Sequence, residues 1–212
     1  MSPLPTKVDQ KMRWGGLLEN PWLSRIQRNL LDAGKVSGFF RIIKDINCGR
    51  ILDVGCGLGE YARADTGEYV GLDNSLARVS FAAKHNSKFP FLIGNAFELP
   101  FKNKSFDTIF FIDTSHHLTD EEFVRALEEF KRLSRRYIFV SDPVFFGSQN
   151  SLSRFFYRLD RGGRFRTIDE MQAVFHKVKG LDVASVESFK TYLKLYQHTT
   201  FILTVDGNSG KI

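Results

Sequence analysis

Residues 50–59 read Arg50-Ile51-Leu52-Asp53-Val54-Gly55-Cys56-Gly57-Leu58-Gly59. A short β-rich run that ends in alternating glycines predicts a strand followed by a tight turn, whose backbone can come close to a ligand. The helix expected next would point its N-terminus at that ligand. The dinucleotide-binding pattern is G-x-G-x-x-G. Counted from Gly55, its third glycine belongs at position 60, which is Glu60. The spacing here is G-x-G-x-G, and a carboxylate at that point would repel a pyrophosphate. Both facts argue against a nicotinamide or flavin dinucleotide.

Outward from this loop the chain alternates short apolar runs with helical patterns. Strands are expected at 69–73, 89–93 (interrupted by Pro90), 108–112, 137–140, 181–186 and 199–205. The central runs lack polar alternation, which suits strands buried on both faces of a parallel sheet. Between them, Phe123, Ala126, Leu127, Phe130 and Leu133 make one apolar helical stripe over 120–133. Thr119 with Glu122, and Thr167 with Glu170, fit capping boxes that start two helices. Strand and helix in alternation give an α/β fold with right-handed crossovers.

Asp73 ends the second strand, twenty residues after Asp53. A carboxylate at that place can accept hydrogen bonds from two ribose hydroxyls. The segments ILDVGCGLG (51–59), VGLDNS (70–75), IGNAFELPF (93–101), SFDTIFFIDTSHHL (105–118), EEFVRALEEFKRL (121–133) and YIFVSDP (137–143) then follow in order. Together they resemble the class I S-adenosylmethionine-dependent methyltransferases, in particular the small-molecule branch. The resemblance implies a Rossmann-like, seven-stranded, mostly parallel sheet with helices on both faces, and S-adenosyl-L-methionine as cofactor. It implies that Asp53 and the glycines hold the methionine end, that Asp73 binds the ribose, and that Asn95 and Ala96 read the adenine edge. The cofactor-binding set under this resemblance is Asp53, Gly55, Cys56, Gly57, Gly59, Asp73, Asn74, Asn95, Ala96 and Asp113. The chain departs from the family's habit in having Asn95 for an Asp, Asn74 for an apolar residue, and Ser134-Arg135-Arg136, read as a different turn, for Pro-Gly-Gly.

Methyl transfer from a sulfonium is an in-line displacement whose leaving group needs no acid. The protein aligns the reactants, and a base is needed only for a hydroxyl, a carbon acid or a protonated amine. The fourth strand runs into Asp113-Thr114-Ser115-His116-His117, at the sheet end where ligands bind. His117 and His116 are therefore the candidate bases. Residues 151–167 interleave Arg154, Arg158 and Arg161 with aromatics that include Tyr157. An arginine fork suits carboxylate or phosphate, so these four residues are candidates to hold an acceptor. The competing reading is a solvated helix whose aromatics pack on the sheet.

Charge is uneven: +5 over residues 1–50, −3 over 51–150 and +4 over 151–212, within a net +6. The basic flanks fit an anionic or lipid-like small acceptor, free or carried on an acidic protein. They form no concentrated basic stripe, which speaks against nucleic acid; the alternative readings are an RNA methyltransferase, motivated by a pI near 9.3, and a non-catalytic S-adenosylmethionine-binding protein, motivated by Asn95 and Asn74. Two cysteines, Cys48 and Cys56, make neither a disulfide framework nor a four-ligand zinc site, so no metal is expected and a reducing, cytoplasmic setting is. No apolar run approaches the ~18 residues of a membrane helix, and the first residues lack the apolar stretch of a secretory signal. One domain of 212 residues is expected. It divides into an N-terminal helical cap (1–49) with Trp14 and Trp22 packing in its core, a cofactor core (50–145), an Arg/aromatic lid (146–170), and a C-terminal helix with strands (171–212).

Overall fold

A computed structural model describes residues 34–62, 68–147, 149, 153–154, 157, 164–191 and 196–207. Trp14, Trp22, Arg158 and Arg161 lie outside these residues. The strands are β1 (Ile51–Val54), β2 (Tyr69–Asp73), β3 (Phe91–Ile93), β4 (Phe106–Ile112), β5 (Ser134–Pro143), β6 (Leu181–Lys190) and β7 (Gln197–Val205). The helices among the described residues are α1 (Lys35–Ile43), α2 (Leu76–His85), α3 (Asp120–Leu133) and α4 (Ile168–Phe175), with a 3₁₀ turn at Ser115–His117. The strands form one seven-stranded sheet in the order β3-β2-β1-β4-β5-β7-β6. All pairs from β3 across to β5 are parallel, and β7 runs antiparallel to both neighbours. This is the Rossmann-like sheet that the resemblance implied.

Burial on both faces explains the unbroken apolar runs. Successive side chains alternate across a strand. Leu52, Val54, Ile109, Phe111, Ile138 and Val140 enter the core beneath α3 and α4. Ile51, Phe110, Ile112, Tyr137 and Phe139 enter the opposite core, which α1 closes with Phe39 and Ile43. All five residues of the α3 stripe are fully buried, and both expected capping boxes form. The two edge strands behave differently. In β3, Leu92 and Ile93 are exposed, and β6 alternates along most of its length, since an edge has only one packed side.

One local expectation is corrected. Ser134-Arg135-Arg136 is no turn. α3 ends at Leu133 and β5 begins at Ser134, whose Oγ donates to the Tyr137 carbonyl and accepts from Arg136 N–H. The serine side chain satisfies the backbone where the helix passes straight into the strand.

The sheet places the site. Parallel β1 and β4 are neighbours, yet β1 leads to β2 on one side and β4 to β5 on the other. Such a switch opens a crevice at the carboxyl ends of the strands.

Candidate active site

The glycine loop after β1 is pinned to β2. Gly55 and Cys56 N–H both donate to the Leu72 carbonyl, at 2.7 and 3.0 Å. Gly55 has φ +78°, and a Cβ there would collide with the Thr114 side chain beyond β4. Both facts require glycine. Gly57 N–H donates to Asp73 Oδ2 at 3.0 Å, and Ser75 N–H donates to Asp73 Oδ1 at 2.9 Å. Asp73 therefore shapes the loop as well as lining the space above it. The N-cap of α2 is Ser75, whose hydroxyl accepts from Arg78 N–H.

These elements enclose a cleft of about 410 Å³ at the carboxyl ends of the strands. Gly55, Cys56, Gly57, Asp73, Asn74, Asn95, Ala96, Asp113 and His117 line it, as the sequence suggested. Asn95 Oδ1 already accepts from Phe97 N–H at 2.9 Å, which fixes the amide plane at the mouth. Of the suggested cofactor and catalytic residues, three are not in the lining. Gly59 sits behind the loop, its φ of +75° and its packing against Asn86 and Phe91 making it a structural glycine. Asp53 is 1% exposed, and its Oδ2 accepts from the Tyr69 hydroxyl at 2.5 Å. His116 is buried, its Nδ1 2.5 Å from Asp142 Oδ1, while Asp142 Oδ2 accepts from Ser115 N–H at 3.0 Å.

The electrostatics follow from burial. Desolvation pushes the Asp53 carboxyl up to about 7; the Tyr69 hydrogen bond opposes this, and the Asp73, Glu60 and Asp113 charges add to it. Burial also holds the Cys56 thiol well above its ordinary range, reinforced by Asp53 and Asp73, so it is no nucleophile. Asp113 goes the other way. Burial works against its charge, but the paired Lys35 ammonium, and then His198, hold its carboxyl well below the usual range. Among the described residues, no group of three or more His, Cys, Asp or Glu could hold a metal ion.

The segment after the cleft is a packed one where it is described. Tyr157 is buried, donates to the Val144 carbonyl at 2.8 Å, and clusters with Phe165 and Tyr196. It is thus a packing residue rather than part of the cleft lining, because its hydroxyl has a backbone acceptor. Arg154 is exposed and does not line the cleft. Phe165 stacks on the His116 ring, centroids 5.1 Å apart. Arg166 donates to the carbonyls of Ser115 and Leu118 and pairs with Asp120, so it staples the histidine turn to the start of α3.

Several lining residues stand outside the set suggested from sequence: Glu60, read there only as repelling a pyrophosphate, and Tyr61, Arg78, Phe97 and Thr114. The first two directly follow the glycine loop, and that adjacency was the available signal.

A family model described as a methyltransferase domain matches residues 52–137. Over those residues the core is similar to a methyltransferase domain. An uncharacterized protein of Methanocaldococcus jannaschii is 34% identical to this chain over 118 residues, 55% of this chain and 41% of that protein. The demethylmenaquinone methyltransferase of Thermotoga maritima is 32% identical over 119 residues, 54% of this chain and 51% of that enzyme. The chain spans about half the length of these relatives, or less. Among solved structures, the magnesium protoporphyrin IX methyltransferase of Synechocystis with bound S-adenosylhomocysteine superposes with a TM-score of 0.63 at 17% identity, covering 81% of this chain and 82% of that one. That likeness is one of fold.

Proposed function

We propose that this chain transfers a methyl group from S-adenosylmethionine to a small acceptor that is anionic or lipid-like. The observation that carries the reading is the cleft at the β1/β4 switch. Its volume, about 410 Å³, falls in the range of small-ligand sites. Among the described residues, its lining holds the carboxylates of Glu60, Asp73 and Asp113 against the single guanidinium of Arg78. That balance suits a cofactor with a sulfonium and an ammonium, and opposes a pyrophosphate.

In this reading Asp73 accepts from the ribose hydroxyls through the lone pairs that Gly57 and Ser75 leave open, and Asn95 with Ala96 meets the adenine edge. The bound sulfonium supplies an activated methyl group. The protein holds the acceptor in line with it and keeps water out. His117 faces the cleft and accepts the acceptor's proton if the acceptor is a hydroxyl, a carbon acid or an ammonium. The acceptor class is supported by the basic flanks, and by the names of the Thermotoga relative and the Synechocystis neighbour, which act on a quinone and a porphyrin. In the same reading, residues 1–49 form a cap, 146–170 an acceptor-side lid with Arg154, Arg158 and Arg161, and 171–212 the closing helix and strands. The reaction would take place in the cytoplasm, with the acceptor free or on an acidic carrier. Mass spectrometry of ligands that co-purify, then a radiolabelled methyl screen over lipid, phenolic and RNA pools, tests the proposal. Label in the RNA pool alone would overturn the acceptor class, and failure to bind the cofactor would overturn the whole.

A further inference from the structure

The β3 edge of the sheet exposes aliphatic side chains beside cations. Among the described residues, four large apolar side chains are exposed: Leu76 (65%), Ile93 (56%), Phe145 (41%) and Leu92 (39%). Phe145 stacks on the Tyr157 ring, centroids 5.3 Å apart. The other three gather at one corner. Leu92 and Ile93 end β3, the outermost strand, and point to opposite faces, so they flank its free edge on both sides. Ile93 pairs in register with Asp73, and Leu76 opens α2 three residues after Asp73. Within α2, Val79 and Ala82 are buried, which turns the opposite face of the helix outward. This corner is basic. Residues 74–97 hold Arg78, Lys84 and Lys88 and no Asp or Glu, within a block, 51–150, whose net charge is −3. Both Lys84 and Lys88 are exposed.

Exposed apolar side chains grouped together mark a contact surface, and the charge narrows what it meets. A second copy would set Lys84 and Lys88 against themselves, because a two-fold contact faces a patch with the same patch. An added protein strand has little to pair with. β3 is three residues long, and Pro90 before it has no N–H, while its carbonyl already accepts from Gly71 N–H at 3.0 Å. Protein interfaces are also depleted in lysine and enriched in aromatics, the reverse of this corner. An anionic lipid surface suits both features: lysines meet the headgroups, and aliphatic side chains enter the layer beneath them.

We infer that the β3 edge, through Leu76, Leu92, Ile93, Lys84 and Lys88, docks on an anionic lipid surface. The docking does not depend on the cofactor or the acceptor proposed above. Its test is cosedimentation of the full chain with vesicles, either phosphatidylglycerol mixed with phosphatidylcholine or phosphatidylcholine alone. The wild type should pellet with the anionic vesicles, less so as salt is raised, and stay in solution with the neutral ones. Lys84→Glu with Lys88→Glu should lower partitioning at least about tenfold, since each lysine near such a surface contributes roughly a fivefold gain. Leu76→Ser with Ile93→Ser should lower it about tenfold through lost apolar burial. These four side chains are exposed, so melting temperatures should match the wild type; should the serine pair lose stability, the lysine pair carries the test. Lys177→Glu with Lys179→Glu is the charge-matched control. Both lysines are exposed just before β6, at the opposite edge of the sheet, and their loss should leave partitioning unchanged. No pelleting of the wild type with anionic vesicles, an equal loss in the control, or unchanged partitioning of a stable serine pair would overturn the inference. So would a wild-type dimer that the serine pair makes monomeric in sedimentation velocity, because the edge would then be a contact between copies.

Discussion

The neighbouring strands β1 and β2 each carry a buried aspartate near the carboxyl end, and the two carboxylates have opposite fates. Asp73, the last residue of β2, lines the cleft and gathers the N–H groups of Gly57 and Ser75. Asp53, in β1, is sealed against the Tyr69 hydroxyl, with its carboxyl pushed up to about 7 mainly by burial. The adjacent histidines repeat the contrast. His117 faces the cleft, while His116 is tucked against Asp142 and Phe165. Residue type and sequence position are nearly the same within each pair. What differs is the neighbour across the sheet, so chemical role here is decided by what each side chain packs on.

Exchanging the members of each pair tests this contrast. The largest effect is expected at the histidines. Once a methyl acceptor with an acidic proton is found, His117→Gln should lower turnover by about 10²–10⁴-fold with little change in cofactor affinity. Turnover within a few-fold of wild type would make alignment and desolvation sufficient, and leave His117 as lining only.

The sealed acid should act on stability. Its folded pKa of about 7 exceeds the ordinary value of 3.8, so between those limits the folded state keeps a proton that the unfolded state has lost. Asp53 thus costs nothing below about pH 4, and stability falls as pH rises toward 7 by up to roughly 4 kcal/mol from this group alone. Asp53→Asn keeps an acceptor for Tyr69 and should flatten that fall in denaturant titrations at pH 5 and pH 8. A slope identical to wild type would show that Asp53 is not the group responsible.

The cleft-lining acid should act on binding instead. Asp73→Ala should weaken S-adenosylhomocysteine by about 1–3 kcal/mol, through lost contacts to a charged acceptor and a loosened Gly57 turn. Asp53→Asn should leave that affinity close to wild type. Comparable losses in the two variants would erase the distinction drawn between them.

The smallest and sharpest change is at Asp142. Ser115 N–H can only donate, so it would hold the carbonyl oxygen of Asp142→Asn, turning the amide NH₂ toward His116 Nδ1. Nitrogen-15 NMR should then report the proton moving from Nδ1 to Nε2 of His116, with cofactor affinity unchanged. Retention of the Nδ1–H form in the variant would mean that Asp142 does not set the tautomer.

Most of the architecture was legible in the chain, and the reasons are local. Unbroken apolar runs such as 108–112 marked two-faced strands, and Thr119 with Glu122 fixed the start of α3. The strand at 134–136 was not legible, because three polar residues enter β5 only through the Ser134 hydroxyl and pairing with Phe106 on β4. At the site, the glycine loop, Asp73 and His117 announced themselves by spacing. Tyr61 and the Lys35–Asp113 pair did not, since each depends on contacts between segments dozens of residues apart.

The sequence by itself determined the α/β order, the glycine turn and the strand ends at which ligand chemistry could sit, because period, glycine spacing and capping act over a few residues. Only the tertiary structure decided which of two aspartates and which of two histidines faces the cleft, and that α1 builds its β4 end. Those outcomes depend on partners brought together across the sheet: Tyr69 for Asp53, Asp142 for His116, and Phe39 with Lys35 for Tyr61 and Asp113. A buried polar side chain turns toward whichever partner satisfies it, and that partner is fixed by packing.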